Sequence, residues 1–237
     1  MYSNAFLDSA ELYDAIYSFK NYARECGRLK ELITSAVPGA HTILDVACGT
    51  GEHAKFLKES FAVDGVDLNP DYLRAARVKN PAGKYSRADM TDFDLGRIYD
   101  VVTCLFSAIG NLKTVDRLGR AIACMAHHLR PGGVALVEPW FAPGQWRPGG
   151  QMIIAAESGG NKICRMSHSA RVGDLSVLRF HYLRGTAEGI EHYSERLELR
   201  LFTRAEITAA FESAGMEVWH DSEGLMGRGL YLGRRIT

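Results

Sequence analysis

The chain has 237 residues, 46% of them hydrophobic, enough to bury one core of ordinary size in a single domain. Lysine plus arginine and aspartate plus glutamate number 28 each, so there is no global basic field to draw in nucleic acid or an anionic membrane surface. Five cysteines, Cys26, Cys48, Cys104, Cys124 and Cys164, lack CxxC or zinc-ligand spacing; this argues against a disulfide framework or a structural metal and for reduced core residues.

The first residues carry acids and aromatics instead of a basic start and an apolar run, and no stretch approaches the roughly 20 apolar residues that span a bilayer. The expected address is the cytoplasm and the expected partner a small or nucleotide-sized molecule. Residues 8–37 place Leu12, Ile16 and Phe19, then Leu29, Leu32 and Ile33, at helical spacing, which reads as one helix or as two broken near Lys20, closed by Pro38 and Gly39. Strands and helices then alternate: TILDVAC strand, HAKFLKES helix, FAVDGVDL strand, PDYLRAARVK helix, GKYSRADM and YDVVTCLF strands, VDRLGRAIACMAHHL helix, GGVALVEPW strand. That order indicates a parallel sheet covered on both faces by helices.

After Trp140 the pattern changes. The turn-rich APGQWRPGGQ leads into β-like segments across 151–201 separated by glycine turns, which predicts an antiparallel flap inserted at about 143–201. TRAEITAAFESAGM reads as a helix with Thr203 as N-cap, Glu206 in the capping-box position and Gly215 as its stop. EVWHDSEGLMGRGLYLGRR closes the chain as a strand pair.

The first strand runs into a glycine turn, LDVACGTGEH, at residues 44–53. In an open parallel sheet this turn frames the ligand crevice, and glycines there allow positive φ and close approach to the backbone. GTGEHA also fits the relaxed dinucleotide pattern GxGxxA, with Asp67 placed as a ribose-binding acid, so an oxidoreductase and a plain tight turn are rival readings. Asp45, inside the strand, is unusual for nicotinamide binding and suits orienting the loop or meeting a cationic ligand. Asp89 and Met90, in RADM, suit an adenine amino group and ring, and LRPGG supplies a turn before a late strand.

In order and spacing, LDVACGTG, VDLNP, RADM and LRPGG resemble the class I S-adenosylmethionine-dependent methyltransferases. YDAIYSFKNYARE, FSAIGNL, VEPWFAPGQWRPGG, RMSHSAR, HYLRG, LRLFTRAE and GRGLYLG resemble, more narrowly, the dTDP-aminosugar N,N-dimethyltransferases of the desosamine and mycaminose type. The resemblance implies an α/β, Rossmann-like sheet of seven strands with an antiparallel insertion after the fifth, S-adenosyl-L-methionine as cofactor, a dTDP-aminosugar as acceptor, no metal, and a homodimer that nothing in the composition forces.

It also assigns residues. Lys20, Tyr22, Asp45, Ala47, Gly49, Gly51, Asp67, Leu68, Asp89, Met90, Leu105 and Phe106 would meet the cofactor, with Asp67 on the ribose hydroxyls. Tyr17 would meet the acceptor amine, and Tyr13, Trp140, His168, His181 and Arg228 would line the acceptor pocket, Arg228 as a fork for pyrophosphate. Asn111 stands where family members carry a histidine; an amide hydrogen-bonds but is no base near neutral pH. That departure leaves open a different N, O or C acceptor, or a cofactor-binding protein without turnover. Glu138 receives no role from sequence.

Overall fold

The computed structural model describes residues 9–236, so the expected helix start at residue 8 lies outside the described residues. Helix α1 (Ala10–Ile16) begins where the Ser9 hydroxyl accepts the Leu12 N–H and ends at Tyr17. Helix α2 (Tyr22–Ala36) begins where the Asn21 side chain accepts from the Arg24 N–H. Two separate side-chain caps thus decide between the two readings: there are two helices, broken near Lys20.

The alternating region supplies β1 (Thr42–Val46), α3 (Glu52–Leu57), β2 (Ala62–Asp67), α4 (Pro70–Lys79), β3 (Tyr85–Arg87), β4 (Tyr99–Cys104), a 3-10 turn (Ala108–Leu112), α5 (Val115–His127) and β5 (Leu129–Val137). The flap is β6 (Gln151–Ser158), β7 (Asn161–Val172), β8 (Leu175–Thr186) and β9 (Gly189–Arg200); α6 (Arg204–Ser213), β10 (Met216–Asp221) and β11 (Leu230–Arg235) complete the chain. The seven-stranded sheet runs β10-β11-β5-β4-β1-β2-β3. Strands β1 to β5 are mutually parallel, while β11 is antiparallel to both β5 and β10. Strand order reverses between β4 and β1, so the crevice opens at the carboxyl ends of those two strands.

Successive residues of a strand face opposite sides, and here both sides are buried. Leu44, Val46 and Val102 pack with Leu118, Ile122 and Met125 of α5 and with Ile207 and Phe211 of α6. Ile43, Val101, Val134 and Leu136 pack on the other side with Leu29 and Ile33 of α2 and Leu57 of α3. Each such fully buried aliphatic side chain contributes roughly 1.5–3 kcal/mol.

Three local outcomes refine the sequence expectations. The Pro-Gly-Gly of LRPGG is no turn before β5. The register jumps from Tyr99 opposite Leu129 to Val101 opposite Val134, so the extra residues loop out as an irregularity within the strand, with Gly132 at φ 74°. The capping box of Thr203 and Glu206 forms, and Gly215 follows at φ 73°. Asn69 caps α4, its side chain accepting from the Asp71 and Tyr72 N–H groups, which leaves the Asp67 carboxylate to the glycine turn.

The flap is a four-stranded antiparallel meander. Its Ile163, Phe180 and Tyr182 pack against Leu12 and Ile16 of α1, so cap helix and flap form one wall above the sheet's carboxyl edge.

Candidate active site

At the end of β1 the chain turns through Ala47 at φ 57° and Gly49 at φ 55°, while the Cys48 N–H bonds back to Val66 of β2. The missing side chain of Gly49 faces open space. Gly51 answers a different need: a Cβ there would lie 2.9 Å from the Ala76 backbone, so its bareness admits α4, not a ligand. Asp67, ending β2, accepts from Gly49 N at 2.9 Å through Oδ2 and from Asn69 N at 2.9 Å through Oδ1. Burial raises the Asp67 carboxyl, with those backbone N–H groups opposing the rise. Leu68, the next residue, is 57% exposed.

Asp45 is 2% exposed and accepts from the Thr103 hydroxyl at 2.8 Å. Burial pushes its carboxyl up to about 6, against the opposing influence of His53 and of the Thr103 bond. A buried carboxylate of this kind favours a cationic partner. It lines one cavity with Tyr13, Tyr22, Ala47, Gly49, Leu105 and Phe106, all expected from sequence, and with Cys48, Thr50, Glu52 and His53, which were not.

The cap segment delivers its aromatic residues to this edge. Tyr13 and Tyr17, one helical turn apart, have ring centroids 4.6 Å apart, and Tyr17 meets Phe106 edge-on at 5.1 Å. Lys20 is buried, with Nζ 4.1 Å from the Phe106 ring centroid and bonded to both oxygens of Glu25 at 2.7 and 2.8 Å. Glu25 also meets His53 Nε2 at 3.0 Å. Burial disfavours charge on Glu25, but hydrogen bonds from His53 and Lys20 outweigh it and hold the carboxyl below its ordinary value; burial lowers Lys20. Asp14 anchors α1 itself, accepting from Thr50 Oγ1 and Lys79 Nζ at 2.5 Å each.

The remaining expected residues divide. Asp89 stands at the rim, accepting from Thr91 and from Arg117 at 2.9 Å, contacts that outweigh partial burial and lower its carboxyl; Met90 packs beside the core. Asn111 is exposed on the 3-10 turn and donates to Ala108 O at 3.1 Å. Trp140 donates to Ser176 Oγ of the flap at 2.7 Å. Arg228 pairs with Glu138 at 3.2 Å, a residue whose role no local motif announced. The two flap histidines are not brought to the crevice. His168 sits opposite Arg179, and His181 stacks on His192; both belong to the strand face opposite Phe180 and Tyr182, because side chains alternate along a strand. The inner face contributes Arg165 instead, whose Nη1 donates to Tyr17 Oη at 3.2 Å.

The donor set suits an adenosyl cofactor: a strand-end carboxylate for a diol, an open glycine backbone, a buried anion for a cationic group, and aromatic walls. With α1 in place the cavity holds about 40 Å³. Small-molecule sites commonly offer about 300 Å³ or more, so a nucleoside enters only with a rearrangement of the residues that line this space, Tyr13 of α1 among them.

A family model described as a methyltransferase domain matches residues 43–133. A dTDP-3-amino-3,6-dideoxy-alpha-D-glucopyranose N,N-dimethyltransferase of Streptomyces fradiae is 42% identical over 94% of this chain and 89% of its own length. A dTDP-4-amino-2,3,4,6-tetradeoxy-D-glucose N,N-dimethyltransferase of Saccharopolyspora spinosa is 38% identical over 96% and 93%. The crystal structure of Streptomyces venezuelae DesVI matches with a TM-score of 0.89 at 37% identity, covering 97% of this chain and 98% of that one. SAM-bound CalS10, an amino pentose methyltransferase from Micromonospora echinaspora, matches with a TM-score of 0.84 at 37% identity, covering 92% and 93%. The likeness spans sheet, cap and flap together, which sets aside the oxidoreductase reading of GxGxxA. The chain belongs to the S-adenosylmethionine-dependent methyltransferases, in the group formed by the dTDP-aminosugar N,N-dimethyltransferases.

Proposed function

We propose that this enzyme methylates, twice in succession, the amino nitrogen of a dTDP-linked deoxyaminosugar. The observation that carries the reading is the convergence of cap and flap on one hydroxyl: Tyr17 follows α1, contacts Phe106 at the sheet edge, and receives a hydrogen bond from Arg165 of the flap. A flap devoted to that wall matches relatives whose names specify aminosugars.

The bound cofactor supplies an electrophilic methyl carbon on a sulfonium. The chain's tasks are to hold a neutral amine close and in line and to exclude water. Asp67 takes the ribose hydroxyls, Asp89 and Met90 the adenine, and Lys20, Tyr22, Asp45, Ala47, Gly49, Leu68, Leu105 and Phe106 shape the rest of that half. Gly51 serves by letting α4 approach. On the acceptor half, Tyr13, Tyr17 and Trp140 form the wall, and Tyr17 with water manages the amine proton because Asn111 accepts none near neutral pH. Arg228 Nε, buried without a hydrogen-bond partner, is the donor available to a phosphate.

Among the described residues no helix is long and apolar enough to cross a membrane; a cytoplasmic address belongs to the proposal. So does a homodimer, for which the exposed Ile153, Met166 and Leu183 on the outer flap face offer apolar area. Incubation with methyl-labelled cofactor and a panel of dTDP-3-amino and dTDP-4-amino sugars tests the acceptor. Dimethylated sugar nucleotide is the expected product; label transferred only to other small amines or hydroxyls would overturn it.

A further inference from the structure

We propose that Glu138 is a positioning residue that fixes Phe106 and Arg228 at the crevice before any ligand arrives. Glu138 directly follows β5, is 0% exposed, and continues the sheet pairing through its N–H to Cys104 O at 2.9 Å. Its side chain therefore projects where the strand ends, at the edge that binds ligand. Oε2 accepts the Phe106 N–H at 2.7 Å, and Oε1 accepts from Arg228 Nη2 at 3.2 Å.

The first bond falls on strained backbone. Phe106 and Ser107 lie at φ 52° and 63°, the left-handed region that side chains disfavour, and neither is glycine. Such a conformation persists only when its surroundings over-determine it, and a charge-assisted bond to the Phe106 amide does so together with the Ser107 hydroxyl on Pro139 O at 2.8 Å. The turn puts the Phe106 ring at the meeting point of Tyr17 at 5.1 Å, Lys20 Nζ at 4.1 Å and the Arg228 guanidinium at 5.6 Å, and makes it a wall of the cavity. The second bond lays Arg228 across Trp140 at 5.4 Å. One buried carboxylate thus ties the end of β4 to the segment preceding β11, joining the cofactor half of the crevice to the acceptor half.

The role rests on the cofactor placement proposed above, and the test separates the two. Glu138→Gln keeps size and shape but offers an amide where Phe106 N–H and Arg228 both need an acceptor. Hydrogen exchange on the unliganded variant should show the Phe106 amide losing at least tenfold in protection while the amides of β1 hold theirs. Calorimetric titration should show S-adenosylhomocysteine binding weakened at least fivefold, with Glu138→Asp, which keeps the charge, closer to wild type. Should the variant fold poorly, the wild-type chain still decides: its Phe106 amide must exchange as slowly as those of β4 without ligand, and rapid exchange there overturns the proposal. A wild-type chain that binds no S-adenosylhomocysteine overturns the cofactor placement. A wild-type chain that binds it, with Glu138→Gln binding equally well and Phe106 equally protected, overturns the role of Glu138 alone.

Discussion

The Oδ2 of Asp67 accepts the backbone N–H of Gly49 at 2.9 Å, so the carboxylate ending β2 holds the glycine turn that leaves β1. Its Oδ1 is bonded to Asn69 N, so two backbone N–H groups orient the carboxylate. Asp67→Asn keeps the shape and removes the charge. Hydrogen bonds to a charged group contribute about 1.5–3 kcal/mol, so S-adenosylhomocysteine affinity should fall roughly 10- to 100-fold by titration calorimetry. Undiminished affinity would remove Asp67 from the binding set.

Asp45 makes stability and binding depend on pH in opposite senses. Its folded value, about 6, lies above the ordinary 3.8, so the fold favours the protonated form. The stabilising contribution is full below about pH 4 and is lost as pH rises through 6, a difference of about 3 kcal/mol at pH 7 and above. Asp45→Asn should therefore raise the denaturation midpoint at pH 8 and change it little at pH 4. A cationic ligand prefers the ionised form, so wild-type cofactor affinity should drop as pH falls below 6 while the variant's curve stays flat. A variant less stable than wild type at pH 8 would contradict the account.

Sequence made the strand order's consequences legible wherever a residue's role was local. The glycine turn, Asp45, the tyrosines of the cap and the Thr203 capping box depend on neighbours a few positions away, and each lies where expected. What stayed hidden depends on pairing across the chain. Glu138 gains its meaning from Phe106 and Arg228, Arg165 from Tyr17, and Glu25 from His53, and no local spacing encodes those meetings. The flap histidines show a second limit: a motif match fixes position along a strand, whereas one step of alternation decides which face receives the side chain.

The buried pair of Lys20 and Glu25 offers a stability test. Lys20→Met leaves Glu25 enclosed with His53 as its remaining partner among the described residues, and removing one member of a buried ion pair commonly costs about 3–5 kcal/mol. Urea denaturation should show a loss of that order at pH 8, largely restored in the Lys20→Met, Glu25→Gln double variant. Equal losses in both would mean that packing, not the stranded charge, sets the effect.

Asp14 fastens α1 to Thr50 of the glycine turn and to Lys79 of α4, and the proposed entry route for a nucleoside passes under α1. Asp14→Asn should speed cofactor association severalfold by stopped-flow fluorescence and raise hydrogen exchange in α1 while α5 is unchanged. An unaltered association rate would place the entry route elsewhere.

Proton handling separates Tyr17 from Asn111. Tyr17→Phe should lower kcat about tenfold or more at neutral pH while leaving S-adenosylhomocysteine affinity within about twofold. Asn111→His should extend the active pH range downward. If neither substitution alters the pH profile of kcat, the acceptor amine lies away from Tyr17.

The central claim is that the carboxyl edge between β1 and β4 holds the adenosyl group under the cap. Crystals grown with S-adenosylhomocysteine test it most directly. The account predicts ribose hydroxyls on Asp67, adenine beside Asp89 and Met90, and the sulfur facing Phe106 and Tyr17 with α1 displaced outward. Ligand bound anywhere else, or an edge still closed by Tyr13 at saturating concentration, would contradict it.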